Sequence, residues 1–200
     1  METMEGVATV DTGPQSDERL WAEVEHGSGA AFGVVFDRHA KAIYNHCFRR
    51  VASWEAAEDL MSVTFLEAWR LRGRARMVDG SVLPWLYGIA TNVCRNQRRS
   101  HWRYRRLLSQ LNADVAAPDH AADVASRVDD QRRMAEVRVA IRQLPRGERE
   151  VVELVLWAGL DYASAAVALD IPIGTVRSRL SRARNRLVGT LSGLEETEES

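Results

Sequence analysis

Apolar residues recur along this chain at helical spacing and nowhere alternate as strand residues would. Over 30–51 they fall at Phe32, Val35, Phe36, Ala40, Ile43, Tyr44, Cys47, Phe48 and Val51, which predicts one long amphipathic helix. Ser53 restarts the chain as an N-cap. Leu60, Met61, Thr64, Phe65, Ala68 and Trp69 then carry a second apolar stripe. Mixed charges over 73–80 predict a loop, and Pro84 suits the first turn of a third helix. Trp85, Leu86, Ile89, Ala90, Val93 and Cys94 form the inward face of that helix. A shorter helix bearing Leu20, Trp21 and Val24, capped by Asp17, precedes all three.

The second half repeats the pattern in shorter pieces. Met134, Val137, Ile141 and Leu144 share one helical face, and Pro145-Arg146-Gly147 ends it. Residues 148–158 read as a helix closed by Gly159, and 160–169 as another with Asp161 at its start. Asp170 can adopt the left-handed geometry of a tight turn into a last helix, whose Val176, Leu180 and Leu187 face inward. The expected fold is all-α, with two small helical domains on a flexible linker. The expected boundaries are a disordered N-terminus over 1–16, a first domain over 17–108, a linker over 109–130, a helix-turn-helix domain over 131–189 and an acidic tail over 190–200.

Charge changes this picture through its distribution. The net charge is only -1, yet residues 95–106 hold six arginines and no acid. The last turn-and-helix holds five more, at 177, 179, 182, 184 and 186, with no acid between Asp170 and Glu195. The first thirty residues hold seven acids against one arginine, so two basic surfaces stand out on a neutral chain. Two short helices joined by a turn, the second rich in arginine, match the geometry that lays a recognition helix in the major groove. Arg177, Ser178, Ser181 and Arg182 lie on its outward side, suited to guanine and phosphate contacts. In the other block, Arg95, Arg98, Arg99 and Arg106 interleave with Trp102 and Tyr104, and Trp85 and Tyr87 lie earlier on the helix. Single-stranded DNA binding uses such a mixture. Trp85 is equally well read as core.

Other chemistries find little footing. Cys47 and Cys94 are far apart in sequence, and Cys47 continues an apolar face, so both read as buried thiols and the nearby His39 and His46 are not metal ligands. No Gly-rich phosphate loop, metal-spaced cluster or nucleophile elbow is present. The expectation is a protein that is not an enzyme, with no catalytic residue, cofactor or metal. No run approaches the ~20 apolar residues that span a bilayer, so a cytoplasmic protein without membrane insertion is expected.

Three segments carry a family resemblance. Ala57-Glu58-Asp59-Leu60-Met61-Ser62-Val63-Thr64-Phe65-Leu66-Glu67-Ala68-Trp69-Arg70 resembles the polymerase-binding segment of bacterial sigma factors. Pro84-Trp85-Leu86-Tyr87-Gly88-Ile89-Ala90-Thr91-Asn92 resembles their promoter-melting helix. Ile171-Pro172-Ile173-Gly174-Thr175-Val176-Arg177-Ser178-Arg179-Leu180-Ser181-Arg182-Ala183-Arg184 resembles their upstream-element reader. Two such domains without an intervening third match the plan of the extracytoplasmic-function (ECF) subfamily. The resemblance implies that Asp59, Leu60, Ser62, Val63 and Phe65 dock on the clamp helices of the largest subunit of core RNA polymerase. It implies that the 74–82 loop, with Arg74 and Arg76, captures a flipped base of the -10 element. Trp85, Asn92, Arg95, Arg98 and Arg99 would lie along the melted DNA, and Thr175, Arg177, Ser178, Ser181 and Arg182 would read the -35 element. It also implies an anti-sigma factor as controlling partner. Ser62-Val63 stands where the family commonly has a Gln-Glu/Asp pair, Ser164 where Glu is usual, and Asp170 where Gly is usual. The competing reading is a stand-alone helix-turn-helix regulator, which would need neither the docking segment nor the aromatic-arginine helix.

Overall fold

The computed structural model describes residues 15–110, 138–139 and 141–198; for 98–110 and 188–198 it describes the helical path alone. The expected linker, save its first two residues, and nearly all of the N-terminal segment lie outside the described residues. The first half is built of α1 (Asp17–Glu25), α2 (Gly29–Val51), α3 (Trp54–Arg70) and α4 (Leu83–Gln110), with a 3-10 turn at Arg72–Arg74. Serine hydroxyls start three of these helices. Ser16, Ser28 and Ser53 accept from the backbone N–H groups of Arg19, Ala31 and Ala56 at 3.4, 3.2 and 3.4 Å. The cap of α1 is thus Ser16, one residue before the expected Asp17, and this frees the Asp17 carboxylate to turn inward.

The apolar stripes converge as their spacing requires. Val35, Ile43, Cys47, Ala57, Leu86 and Ala90 are fully buried between α2, α3 and α4. Phe36 and Phe65 meet with ring centroids 4.7 Å apart, and Phe32 meets Trp69 at 5.1 Å, both edge-on, the arrangement aromatic quadrupoles favour. Cys47 and Cys94 touch across α2 and α4 with sulfurs 3.9 Å apart. That contact and burial push the Cys47 thiol up, so it stays protonated.

The second half comprises α5 (Arg146–Val152), a π-helical turn (Glu153–Trp157), α6 (Tyr162–Leu169) and α7 (Ile173–Glu198). Asp161 caps α6 by accepting from the Ser164 N–H at 2.6 Å. Val151, Leu154, Ala165, Val176, Leu180 and Ala183 form its core. Helix α7 continues through the expected acidic tail to Glu198.

The two halves pack against each other across a seam. Helix α4 crosses α6 so closely that a Cβ at Gly88 would lie 2.6 Å from the Ala168 carbonyl oxygen. Arg50 of α2 ion-pairs with Glu153, both side chains less than a tenth exposed. Arg49 donates to the Trp157 carbonyl, Arg138 to that of Val51, and Arg95 to Glu150 Oε1 at 2.9 Å. Charged side chains thus add directional contacts to the close α4–α6 packing of the seam.

Candidate nucleic-acid and polymerase interfaces

In the C-terminal unit, α6 ends at Asp170, which adopts φ 53° and ψ 49°. An aspartate tolerates this left-handed conformation because its short side chain can bond locally. The Ile171 N–H returns to the Ala166 carbonyl at 3.1 Å, and α7 starts two residues later. The 3.6-residue period then divides α7. Val176, Leu180 and Ala183 are buried, while Arg177, Ser178, Ser181 and Arg182 are exposed on the other side. Thr175, half-buried, accepts from Ser178 Oγ at 3.1 Å through its carbonyl.

Acidless in sequence, the basic face is not acidless in space. Buried Glu148 of α5 lies 3.1 Å from Arg186 Nε and 3.9 Å from Arg182 Nε. The Arg179 guanidinium covers Gly147, where an added Cβ would come within 2.9 Å of it. Arg177 lies over the Tyr162 ring at 5.9 Å. Glu148 therefore offsets part of the mutual repulsion within the arginine cluster.

The first half presents a loop and the start of α4. Between Val78 and Ser81 the chain makes a tight reversal, N–H to carbonyl in both directions at 3.0 and 2.9 Å. Asp79 and Gly80 at its tip have φ of 48° and 74°. Arg76 reaches across the seam to Asp170 at 2.7 Å, both side chains well exposed. Arg74 stands in the 3-10 turn at the loop's start. Trp85 is half-buried, edge-on to Trp21 at 5.4 Å, so it joins core to surface. Asn92 is exposed and accepts from Arg95 at 2.9 Å, while the other Arg95 nitrogen is taken by Glu150. Arg98 and Arg99 lie on α4, their side chains outside the described residues.

The residues of the docking segment differ in exposure. Phe65 is 3% exposed and spends its ring on Phe32 and Phe36, so it serves the core. Leu60 is equally buried, but its edge floors a groove of about 520 Å³ between α3 and α4, bordered by Asp59, Val63, Glu67, Ile89 and Val93. Asp59, Ser62 and Val63 are exposed, and Leu66, missed from the sequence, is 69% exposed beside them. An apolar residue one step off the inward stripe was the available signal. Among the described residues there is no cluster of three His, Cys, Asp or Glu that could hold a metal ion. Nor is any of their helices long and apolar enough to cross a membrane.

The fold and these faces define a two-part helical protein with one arginine-rich exposed helix face and one loop-and-helix surface beside a largely apolar groove. Comparison with known families agrees on both parts. Residues 35–104 match sigma-70 region 2, and residues 134–187 match sigma-70 region 4. The RNA polymerase sigma-H factor of Pseudomonas aeruginosa is 32% identical over 190 residues, covering 90% of this chain and 96% of that protein. The ECF RNA polymerase sigma factor SigM of Mycobacterium tuberculosis is 30% identical over 181 residues, covering 90% of this chain and 87% of that one. Among solved structures, the sigma factor RpoE of Bartonella quintana, in complex with the anti-sigma factor NepR, superposes with a TM-score of 0.55. It is 25% identical, covering 80% of this chain and 96% of that chain. The chain belongs to the sigma-70 family of RNA polymerase sigma factors, in its extracytoplasmic-function branch. It is thus a factor that binds core RNA polymerase and directs promoter-specific transcription initiation.

Proposed function

We propose that this sigma factor divides promoter reading between its halves and does so from an opened form of the seam described above. On α7, Arg177, Ser178, Ser181 and Arg182, with Thr175 at the helix start, read the -35 duplex. The observation that carries this is the split of α7 into a buried Val176/Leu180/Ala183 face and an exposed arginine-serine face. The 74–82 loop with Arg74 and Arg76, together with Trp85, Asn92, Arg95, Arg98 and Arg99, engages the melted -10 strand. Asp59, Ser62, Val63 and Leu66, over the floor of Leu60, take the clamp helices of polymerase. Units 17–108 and 131–189 act as the two domains, with 109–130 as tether.

Arg95 and Arg76 are engaged by Glu150 and Asp170 of the other half, so binding the -10 strand exchanges protein carboxylates for phosphates. The resemblance to a sigma factor solved with an anti-sigma factor supports a controlling partner of that kind here. The protein acts in the cytoplasm, where polymerase is, as a non-enzymatic factor without cofactor.

Footprinting of promoter DNA tests this, with permanganate probing of unpaired thymines. Holoenzyme should protect two elements about two helical turns apart and open the downstream one. A single protected duplex site formed equally well without polymerase would instead support a stand-alone regulator.

A further inference from the structure

Helix α1 lies outside the residues that match sigma-70 region 2, which begin at 35. Yet it touches the 3-10 turn that leads into the 74–82 loop, the loop's returning end and its tip. Where the loop departs, the buried Trp21 donates from Nε1 to the Arg72 carbonyl at 3.1 Å. Where it returns, Asp17 Oδ2 accepts from the Val82 N–H at 3.1 Å and from Ser81 Oγ at 3.2 Å. At the tip, a Cβ on Gly80 would meet the Glu18 carboxyl at 3.7 Å, so the reversal lies against the first turn of α1.

Asp17 is itself held from the other side. Arg38 Nη1 donates to its Oδ1 at 2.6 Å, and His39 Nε2 lies 2.8 Å from its Oδ2. The carboxylate is 5% exposed, so its four partners come from α2 and from the loop's end rather than from water. A helix that only covered apolar surface would need Leu20, Trp21 and Val24 and no buried charge. Burial of an ion is costly unless every oxygen is satisfied, and here half of that satisfaction is supplied by the loop.

We infer that α1 is the positioning element of the -10 loop, with Asp17 and Trp21 as a two-point clamp that holds it in one conformation before DNA arrives. The inference rests on the reading of 74–82 as the base-capturing loop. The physical advantage is preorganisation. A loop fixed where it enters and where it returns cannot rearrange to accommodate a wrong base, so the mismatch appears in full as a difference in affinity between strands. Asp17 and Trp21 need touch no nucleotide.

The test uses holoenzyme and single-stranded oligonucleotides carrying the -10 sequence or single-base variants of it. Asp17→Ala should lower discrimination between correct and altered -10 strands about tenfold, the loss of roughly one charge-assisted hydrogen bond. Affinity for core polymerase and for -35 duplex should not change. Asp17→Asn keeps an acceptor for the Val82 N–H and should recover part of the loss. Trp21→Phe, which removes the Nε1 donor together with part of a buried ring, should act in the same direction, beyond what the packing loss in Val24→Ala produces. Val24→Ala supplies the control, because Val24 is fully buried on the same helix and makes none of these loop contacts. If Val24→Ala at equal thermal destabilisation lowers discrimination as much, α1 is merely structural and the inference fails. Arg76→Ala and Met77→Ala test the loop itself. If they leave -10 discrimination untouched, the base-capture reading falls and the clamp with it; if they lower it while Asp17→Ala does not, only the clamp is refuted.

Discussion

Gly88 of α4 and Ala168 of α6 approach so closely that a methyl group at 88 would lie 2.6 Å from the 168 carbonyl oxygen. Glycine inside a helix costs about 0.5–1 kcal/mol relative to alanine, so Gly88→Ala favours α4 itself while forbidding the seam. The expected outcome is a protein of unchanged helicity and larger radius of gyration in small-angle scattering, with tighter -10 strand binding. An unchanged radius would show that the seam accommodates the methyl group and that the Gly88–Ala168 approach does not control its closure.

The Arg50–Glu153 pair tests the same seam electrostatically. Removing one partner of a buried ion pair costs about 3–5 kcal/mol when the other charge stays buried. Here the stranded charge can escape by opening the seam. Glu153→Ala should therefore raise proteolytic access between the halves, with only a small fall in the melting temperature of the first half. The double variant Arg50→Ala/Glu153→Ala should regain part of the closed population.

On the DNA side, Arg182→Ala should weaken -35 binding and relax base preference there by about 1–3 kcal/mol, leaving core affinity intact. Glu148 keeps Arg186 at 3.1 Å, so α5 and α7 should stay packed. Equal loss on all duplexes, measured by competition binding, would mark Arg182 as a phosphate contact.

For the polymerase face, Leu66→Asp changes a side chain that is 69% exposed. Thermal stability should hold within about 0.5 kcal/mol, and affinity for core should fall on the order of tenfold or more. Phe65→Asp should instead unfold the first half, because its ring lies in the Phe32/Phe36 cluster.

Stability should fall on mild acidification through His46. Burial, with Arg50 and Arg49 nearby, holds its imidazole neutral, well below the ordinary histidine value. As pH drops below about 6.5 the unfolded chain gains a proton there that the folded chain refuses, so stability present above that pH is lost below it. The slope from this group approaches about 1.4 kcal/mol per pH unit. Burial alone would raise Asp17 and Glu150. The Val82 N–H, His39 and Arg38 outweigh it at Asp17, and Arg146 and Arg95 at Glu150, so both carboxyls are held low and add a further loss in stronger acid. Chemical denaturation between pH 7.5 and 5 should give a flatter dependence for His46→Asn than for the parent, whatever its absolute stability.

Local rules made much of this legible from residues alone. Asp161 as a cap, Asp170 in the left-handed turn and the buried Val176/Leu180 face follow from neighbours within a few positions. Periodicity places Phe65 on the inward stripe of α3, where the structure buries it against Phe32 and Phe36. The seam was not legible. Arg50 and Glu153 stand 103 residues apart, and no short pattern distinguishes a charge destined for burial from one facing water. Asp17 was hidden for a related reason: at a helix start an aspartate reads as a cap, and only the fold shows Ser16 taking that place.

The central claim is that this chain confers promoter choice on polymerase through two separate readers. Multi-template run-off transcription with purified core polymerase, with and without the protein, tests it most directly. New discrete transcripts should depend on the protein, their upstream sequences should align at a -35 and a -10 element, and Arg182→Ala should weaken only the former. An active core that yields no new transcript, beside specific duplex binding by the protein alone, would contradict the account.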